Sequence, residues 1–392
     1  MIKINRHLIK LIVFCFCTNL WGQTTNLNYY LSSNYVESVV YDTSGKLWIG
    51  TDEGLNMVTD HDQYQFFANI SDENGLLNSE NYKLDNLGNG ILAAFSINGL
   101  SIFNPETFQF KQVELNSPPV SIYFNPHNQL YWVTTQEAGI VVLDSTFDIK
   151  NEFQFDPLNP LSLSSSKFDG TSDNQNIVFK GADAMIASLN GFNVFNAKQQ
   201  TFKRYYANNN IFTSNEIKAV FKINSSSFLI ATSEKFFVFD SSSKTFNTID
   251  FDISDLSEIV QLNSFEYVLS DGSKIKSLTL NDNFEASGQL VYQFESLKSN
   301  ALKRIKDEVF VFNSNSNEIL RYDIKNKKLS KSLTANKVND ITIKNSKIII
   351  GSNFGIDALS IQTNLLEEIN YDGLFFYENQ AGQEVKVSNL HV

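Results

Sequence analysis

The sequence contains little cysteine, histidine or proline. Among its 392 residues there are two Cys, four His and six Pro. Disulfide-stapled folds and zinc sites require several Cys or His residues at defined spacings, so neither is expected. Both cysteines, Cys15 and Cys17, lie in one apolar run near the N-terminus. A catalytic Cys–His pair is therefore not predicted either, and we expect no metal site and no cofactor.

The chain also lacks a long apolar run, and the run that contains the two cysteines is short. Lys3, Arg6 and Lys10 precede or flank the segment "LIVFCFC", which "TNLWGQ" follows. A basic start, a short apolar middle and a small residue near the end are typical of a secretory signal peptide. We therefore predict a signal peptide at residues 1–22, with cleavage between Gly22 and Gln23. The mature protein would be periplasmic or secreted and soluble, and an uncleaved membrane anchor is the alternative.

Basic residues are outnumbered by acidic ones. The formal net charge is −12. Removing residues 1–22 takes away three basic residues and no acidic residue, so the charge becomes −15. Nucleic acids and anionic lipids attract proteins with basic patches, and the sequence has no basic cluster. Neither is expected as a partner.

The remaining sequence is dominated by short apolar runs that recur about every 40 residues, which is the length of one four-stranded propeller blade. Each run ends in a small or polar residue. The runs are "LWIGT" (47–51), "ILAAFS" (91–96), "LYWVTT" (130–135), "AMIAS" (184–188), "FLIATS" (228–233), "EYVLSD" (266–271), "VFVFNS" (309–314) and "KIIIGS" (347–352).

The sequence around each run repeats as well. An alternating strand such as "VESVVYD" (36–42) precedes the run, a third strand such as "GLNMVTD" (54–60) follows, and a fourth often contains Phe, as in "TFKRYY" (201–206). No amphipathic helix is evident. Period-two alternation between turn residues predicts antiparallel strands. We therefore predict an all-β fold, a β-propeller of four-stranded antiparallel blades; a pair of β-sandwiches is the alternative.

Eight repeats are present, and the number of blades, seven or eight, stays open. The propeller is predicted to span 23–370, with 371–392 as a C-terminal tail or the start of a further blade. A propeller ring closes when one terminus completes the blade of the other, which removes an exposed strand edge. The segment "LNYYL" (27–31) is the predicted closing strand.

The first repeat carries a family resemblance. The segment "VESVVYDTSGKLWIGTDEGLNMVT" resembles the two-component regulator propeller repeat, as do the linkers "ENGLLNSENY" (73–82) and "YDGLFFYEN" (371–379). The likeness is strong over residues 34–60 and elsewhere covers the strand rhythm of residues 25–370. It implies a seven-bladed periplasmic sensor propeller of a hybrid two-component system, and many such propellers sense oligosaccharides.

The resemblance also implies modules that this sequence does not show. In the family a membrane helix and a kinase or regulator module follow the propellers. The sequence alone leaves open a stand-alone secreted relative, a separate binding subunit and a truncated gene product. The functional expectation is a non-enzymatic ligand-binding sensor propeller, with an oligosaccharide or an envelope signalling protein as partner.

The turns between the second and third strands of each blade are the predicted ligand-binding positions, because such turns gather on one rim of a propeller. Their side chains are mainly acidic or amide. The candidates are Asp52, Glu53, Asn98, Gln136, Glu137, Asn190, Glu234, Asp271 and Asn353. Trp48 and Trp132 recur on second strands, which predicts packing between blades rather than sugar stacking. Gly50 and Gly54 are expected to permit close backbone approach and positive φ.

Other functions have weaker support in the sequence. His61, between Asp60 and Asp62, would suit a metal or a proton relay, but a solvated turn is the expected reading. The segment "DENG" (72–75) has oxygen ligands without the spacing of a calcium loop. The neighbours Asp52 and Glu53 could serve acid–base chemistry in a propeller lyase or hydrolase. A protein–protein scaffold of the cell envelope is the main alternative to ligand binding.

Overall fold

A computed structural model gives the structure of the chain. It describes residues 27–28, 31–58, 64–67, 75–78, 80, 83–88, 90–170, 174–207, 212, 214–294, 301–312, 317–334, 336–344, 347–360, 366–367, 376–378 and 384–386. The regular elements of these residues are β-strands, numbered β1 to β35. The predicted signal peptide, His61 and His391 lie outside the described residues, as do the first three residues of "DENG".

Eight sheets follow one another along the chain, and each has four consecutive antiparallel strands. The first four blades are β2–β5 (Val36–Tyr41, Leu47–Thr51, Gly54–Val58, Tyr64–Phe67), β6–β9 (Lys83–Gly88, Ile91–Ser96, Gly99–Asn104, Gln109–Glu114), β10–β13 (Pro119–Asn125, Leu130–Thr135, Ile140–Leu143, Ile149–Phe153) and β14–β17 (Ile177–Lys180, Asp183–Ser188, Gly191–Asn196, Thr201–Tyr205).

The last four blades repeat the order. They are β18–β21 (Ile217–Lys222, Ser227–Thr232, Phe236–Asp240, Thr245–Ile249), β22–β25 (Leu256–Gln261, Glu266–Asp271, Lys274–Leu280, Ala286–Gln293), β26–β29 (Ala301–Ile305, Glu308–Phe312, Glu318–Asp323, Lys328–Leu333) and β30–β33 (Val338–Lys344, Lys347–Ser352, Gly355–Ser360, Leu366–Glu367). The all-β propeller prediction is confirmed, with eight blades.

Hydrophobic side chains fill the space between neighbouring blades. The indole of Trp48 in blade 1 packs on Phe103 of blade 2, with 4.9 Å between ring centroids. Trp132 of blade 3 meets Phe195 of blade 4 at 5.0 Å. Both indoles are almost fully buried. Large rings on the second strands therefore pack between blades, as their recurrence predicts, and neither presents a face to solvent.

The ring closes by packing of blade 8 on blade 1, not by strand exchange. The strand β1 (Leu27–Asn28) pairs with β5 of blade 1, while β33 completes blade 8. The prediction that residues 27–31 close the ring is therefore wrong. The seam is instead held by apolar contacts around Val39 and Ile349. The amide of Val39 also donates to Oδ2 of Asp340 at 2.9 Å.

A glycine at the start of the third strand recurs because the turn demands it. Gly54 has φ of 147° and Gly99 has φ of 142°, values that favour glycine. A Cβ on Gly99 would lie 2.1 Å from the carbonyl oxygen of Val113. The expectation of a positive φ thus holds for Gly54. It does not extend to Gly50, which lies within β3 and pairs with Ser38 as an extended strand residue.

Beyond blade 8, β34 (Phe376–Glu378) and β35 (Glu384–Lys386) form a separate two-stranded antiparallel sheet. These strands lie in the segment predicted as a tail or a further blade, and among the described residues no other strand pairs with them.

Candidate functional site

Two faces of the ring follow from the antiparallel order of each blade. We call the upper face the one with the turns between second and third strands and the connections between blades. The lower face carries the turns between first and second strands and between third and fourth strands. The inner strand of each blade starts at the upper face, so its last residues reach the lower face. All nine predicted ligand residues belong to upper-face turns or to strand ends beside them.

A hydroxyl group fixes the upper turn in six blades. The last residue of the second strand donates its hydroxyl to the carbonyl of the residue that begins or precedes the third strand. The pairs are Thr51–Gly54 at 2.9 Å, Ser96–Gly99 at 3.2 Å, Thr135–Gly139 at 2.9 Å, Ser188–Gly191 at 2.8 Å, Thr232–Lys235 at 2.9 Å and Ser352–Gly355 at 3.2 Å. The turns that present the predicted ligand residues are therefore rigid.

Most predicted ligand residues lie exposed on these turns, beside the adjacent inter-blade connection. Glu137 pairs with Lys167 at 3.2 Å. The Oδ1 atom of Asn98 accepts from Nδ2 of Asn78 at 2.7 Å, and these two amides line a cleft of ≈ 420 Å³ with Glu114. The predicted residues that are exposed are Asp52, Glu53, Asn98, Gln136, Glu137, Asn190 and Glu234.

Asp271 differs from the other predicted ligand residues because it is buried. It occupies the turn-fixing position that Ser or Thr holds in other blades. Its carboxylate accepts hydrogen bonds from the amides of Ser254 and Asp255, at 3.0 and 2.7 Å, and pairs with Lys276 at 2.6 Å. Burial by itself would raise the pKa of Asp271, but these hydrogen bonds hold it below its usual value. Asp271 therefore fixes the connection into blade 6, and its carboxylate is already bonded to Ser254, Asp255 and Lys276.

One group of upper-face residues lies at the seam between blades 8 and 1. The Nδ2 atom of Asn339 donates to Oδ1 of Asn353 at 2.6 Å and to the carbonyl of Val36 at 2.9 Å. Asn339 thus links the turn before Phe354, which is 69% exposed, to the residue after Tyr35, which is 41% exposed.

Carboxylates adjoin these rings. Glu37 directly follows Val36, and burial together with the charges of Glu80 and Asp52 raises the pKa of Glu37. We call Tyr35, Glu37, Asp52, Asn353 and Phe354 the seam patch. It joins two exposed aromatic rings with two carboxylates and an amide on the upper face.

The inner strands surround the axis, and a repeated bulge shapes their upper ends. In five blades the register shifts by one residue near the start of the inner strand, for example at Val36/Ser38 and Leu256/Glu258. In blades 6 and 8 the side chain after the bulge, Glu258 or Asp340, accepts a hydrogen bond from an amide of the next blade. Oε2 of Glu258 accepts from the amide of Leu302 at 2.5 Å. Buried carboxylates thus satisfy strand-edge amides between blades, as unpaired buried donors are costly.

One connection crosses the inner strands of several blades, where blade 5 lacks such an acceptor. The position after the bulge in blade 5 is Ala219. Oδ1 of Asn174, from the connection into blade 4, accepts from the amide of Ile259 in blade 6 at 2.9 Å. The carbonyl of Gln175 accepts from Val220 of blade 5 at 2.9 Å. The amide of Asn176 donates to the hydroxyl of Tyr123 in blade 3 at 2.9 Å. This crossing segment, residues 174–176, ties four blades together.

A cavity of ≈ 440 Å³ lies below the crossing segment, at the lower end of the inner strands of blades 2, 3 and 4. Its walls include Asp85, Tyr123, Phe124, Tyr131 and Gln175. Sequence reasoning missed it because it concentrated on the turns of the upper face. Aromatic residues at the lower ends of "PVSIYFN" and "LYWVTT" were the available signal.

The remaining candidates for chemistry are dispersed. His127 is exposed on a lower-face turn. Among the described residues, no three His, Cys, Asp or Glu side chains are arranged to hold a metal ion. In the part of the chain that the structure describes, no helix has the length and apolar character to cross a membrane.

Solved structures share this fold. The extracellular domain of the BT4673 two-component system of B. thetaiotaomicron superposes with a TM-score of 0.54 at 14% identity, covering 85% of this chain and 53% of that one. The extracellular domain of BT3049 from the same organism gives 0.50 at 16%, covering 84% and 40%. BamB of Moraxella catarrhalis gives 0.52 at 11%, covering 86% and 99%.

These likenesses establish a common propeller fold. The chain spans about half of the BT4673 domain and less of the BT3049 domain. No protein-family model and no curated protein sequence match the chain. The expected resemblance to two-component propellers is thus confirmed at the level of the fold, because solved propeller domains of such systems superpose on this chain.

Proposed function

We propose that this chain is an exported, non-enzymatic sensor propeller that binds a hydroxyl-rich ligand, an oligosaccharide, on its upper face. The seam patch is the observation that carries this proposal. The structural neighbours from two-component systems and the N-terminal sequence support it. The cleft beside Asn98 adds amide and carboxylate groups on the same face.

The chemistry of the seam patch suits a sugar. The apolar face of a pyranose packs on an exposed aromatic ring, and Phe354 and Tyr35 are the two rings offered. Sugar hydroxyls donate to carboxylates such as Asp52 and both donate to and accept from amides such as Asn353. Because hydroxyl groups fix the turns that carry Asp52, Asn353 and Phe354, little backbone freedom is lost there on binding.

The test is a panel of oligosaccharides titrated into the purified chain by calorimetry. We expect one sugar to bind, and Phe354→Ala or Asp52→Asn to weaken that binding roughly tenfold. Phe124→Ala, which removes a ring from the lower face, is the matched control and should leave the affinity unchanged. A panel with no binder, or a binder indifferent to all upper-face variants, would contradict the proposal.

A specific loop favours the second candidate, a protein–protein scaffold of the envelope. Residues 155–162 present Phe155, Leu158 and Leu161 to solvent, and Leu158 is 92% exposed. Arg204 holds the loop through the carbonyls of Ser162 and Asn159, both at 2.6 Å. A rigid loop with exposed apolar side chains is typical of a binding hot spot.

This second candidate has its own test. Wild-type chain and Leu158→Asp would be used as baits in envelope extract, with bound proteins identified by mass spectrometry. The scaffold function predicts one protein that is captured by the wild type and lost with Leu158→Asp. An identical set of captured proteins for both baits would contradict it.

A further inference from the structure

The cavity at the lower mouth of the ring lies between an acidic side chain and a pair of aromatic rings. Asp85 on β6 pairs with Ala93 on β7, and directly opposite residues of an antiparallel pair lie on the same face of the sheet. Ala93 packs in the core between blades 2 and 3, together with Ile122 and Tyr131 of blade 3. Asp85 therefore points across the gap toward blade 3, where Ile122 and Tyr131 lie.

The opposite wall is aromatic. The rings of Phe124 and Tyr131 lie 4.8 Å apart between centroids, and Tyr131 and Phe147 lie 4.9 Å apart. Phe124 keeps part of its surface in contact with solvent. This row of rings continues to the lower edge of blade 3. One wall of the cavity thus carries the aromatic side chains Phe124 and Tyr131, and the wall from blade 2 carries Asp85.

The lining of the cavity carries one charged side chain. Asp85 is the one charged residue among the described residues that line the cavity. Its carboxylate lies in an ion pair, because the ammonium of Lys83 is 3.7 Å from its Oδ2 atom. Lys83 also donates to the carbonyl of Val120 at 3.3 Å and is not among the residues that line the cavity, so the acidic partner of the pair is the one at the cavity wall.

We propose that this cavity binds a small organic cation, an ammonium group on an apolar body. Ring faces attract cations and bind quaternary ammonium groups in aromatic cages, and a nearby carboxylate adds direct attraction. The volume of ≈ 440 Å³ lies within the range of small-molecule sites. Gln175 of the crossing segment also lines the cavity. The site is separate from the seam patch on the upper face.

The test compares choline with its neutral isostere 3,3-dimethylbutan-1-ol by calorimetry on the full chain. The two probes have nearly the same shape and differ in charge. We expect choline to bind and the isostere to bind at least about tenfold more weakly. Choline binding should also weaken as salt rises, because part of the attraction is coulombic.

Variants locate the site. Asp85→Asn and Phe124→Leu should each weaken choline binding about tenfold. The matched controls, Asp52→Asn and Phe354→Leu, make the same changes on the upper face and should leave it unchanged. Phe124→Leu keeps an apolar side chain, so it tests the ring even if Asp85→Asn destabilises the chain.

The proposal would be overturned by no choline binding, by equal binding of the neutral isostere, or by binding that survives both lower-face variants. Sugar binding at the seam patch is measured with other probes, and the upper-face variants that test it serve only as controls for choline. The two proposals therefore fail independently.

Discussion

The indole Nε1 of Trp48 donates a hydrogen bond to Oδ2 of Asp42 at 2.9 Å inside blade 1, whereas the same atom of Trp132 is buried without a partner in blade 3. The position of Asp42 is taken in blade 3 by Asn125, whose amide group instead donates to the carbonyl of Gly181 at 3.1 Å. The two equivalent indoles thus pack in the same way, but only the N–H group of Trp48 has a hydrogen-bond partner.

This difference predicts unequal costs for the same substitution. Trp48→Phe removes a hydrogen bond to a buried carboxylate, while Trp132→Phe removes an N–H group that has no partner. Both lose similar apolar contact. We expect Trp48→Phe to lower the free energy of unfolding by about 2 kcal/mol more than Trp132→Phe. Urea unfolding curves with equal slopes would measure this, and equal midpoints for the two variants would refute it.

Asp357 predicts a stabilising substitution. Its equivalents Asn56 and Asn193 tie inter-blade connections by accepting from the amides of Ser32 and Ser164, at 3.0 and 2.8 Å. Asp357 fills this position in blade 8 as an acid, and one of its carboxylate oxygens is buried without a partner. Burial raises the pKa of Asp357 above the ordinary 3.8.

Because the folded chain holds this proton more tightly, stability falls as pH rises from the ordinary pKa through the raised one. Asp357→Asn should therefore stabilise the chain by about 1 kcal/mol at neutral pH. The gain should shrink below pH 3.8. Thermal unfolding at both pH values checks it, with Asn56→Asp as the reverse change. A variant less stable than the wild type at neutral pH would count against this account.

Asp271 predicts the opposite pH dependence. Its pKa is lowered in the folded chain, where Lys276 and two backbone amides hold the carboxylate. Its contribution is therefore fully present above the ordinary pKa of 3.8 and is lost as pH falls through the lower folded value. Asp271→Ser, which restores the hydroxyl of other blades, should be less stable than wild type at neutral pH.

The stability difference between Asp271→Ser and wild type should narrow in acid. Chemical unfolding across a pH series measures it, and a difference that does not vary with pH would contradict the role given to the carboxylate.

The glycine turns predict a graded alanine effect. A Cβ at Gly99 would meet the carbonyl oxygen of Val113 at 2.1 Å, while nothing lies within 4 Å of a Cβ at Gly181. Both residues have positive φ. Gly181→Ala should cost about 1 kcal/mol from backbone strain alone. Gly99→Ala should cost several times as much, or prevent folding; comparable melting temperatures for the two variants would show that the close approach is unimportant.

The residue pattern alone was enough to predict the repeat. Local conformation requires glycine at the turns and alternating apolar residues along the strands. The need to bury both faces of each small sheet explains the period of about 40 residues. Those constraints act within one blade, so blade order, strand number and the buried positions of Trp48 and Trp132 were predictable. The exposed turn residues were predictable for the same reason.

The contacts between blades could be learned only from the folded structure. Whether residues 27–31 close the ring depends on which strand edge is nearest, and that edge belongs to blade 1. The burial of Asp271, the crossing of Asn174 to blade 6 and the cavity beside Asp85 all join residues far apart in the chain. Such contacts depend on the relative placement of whole blades, and local sequence patterns do not predict that placement.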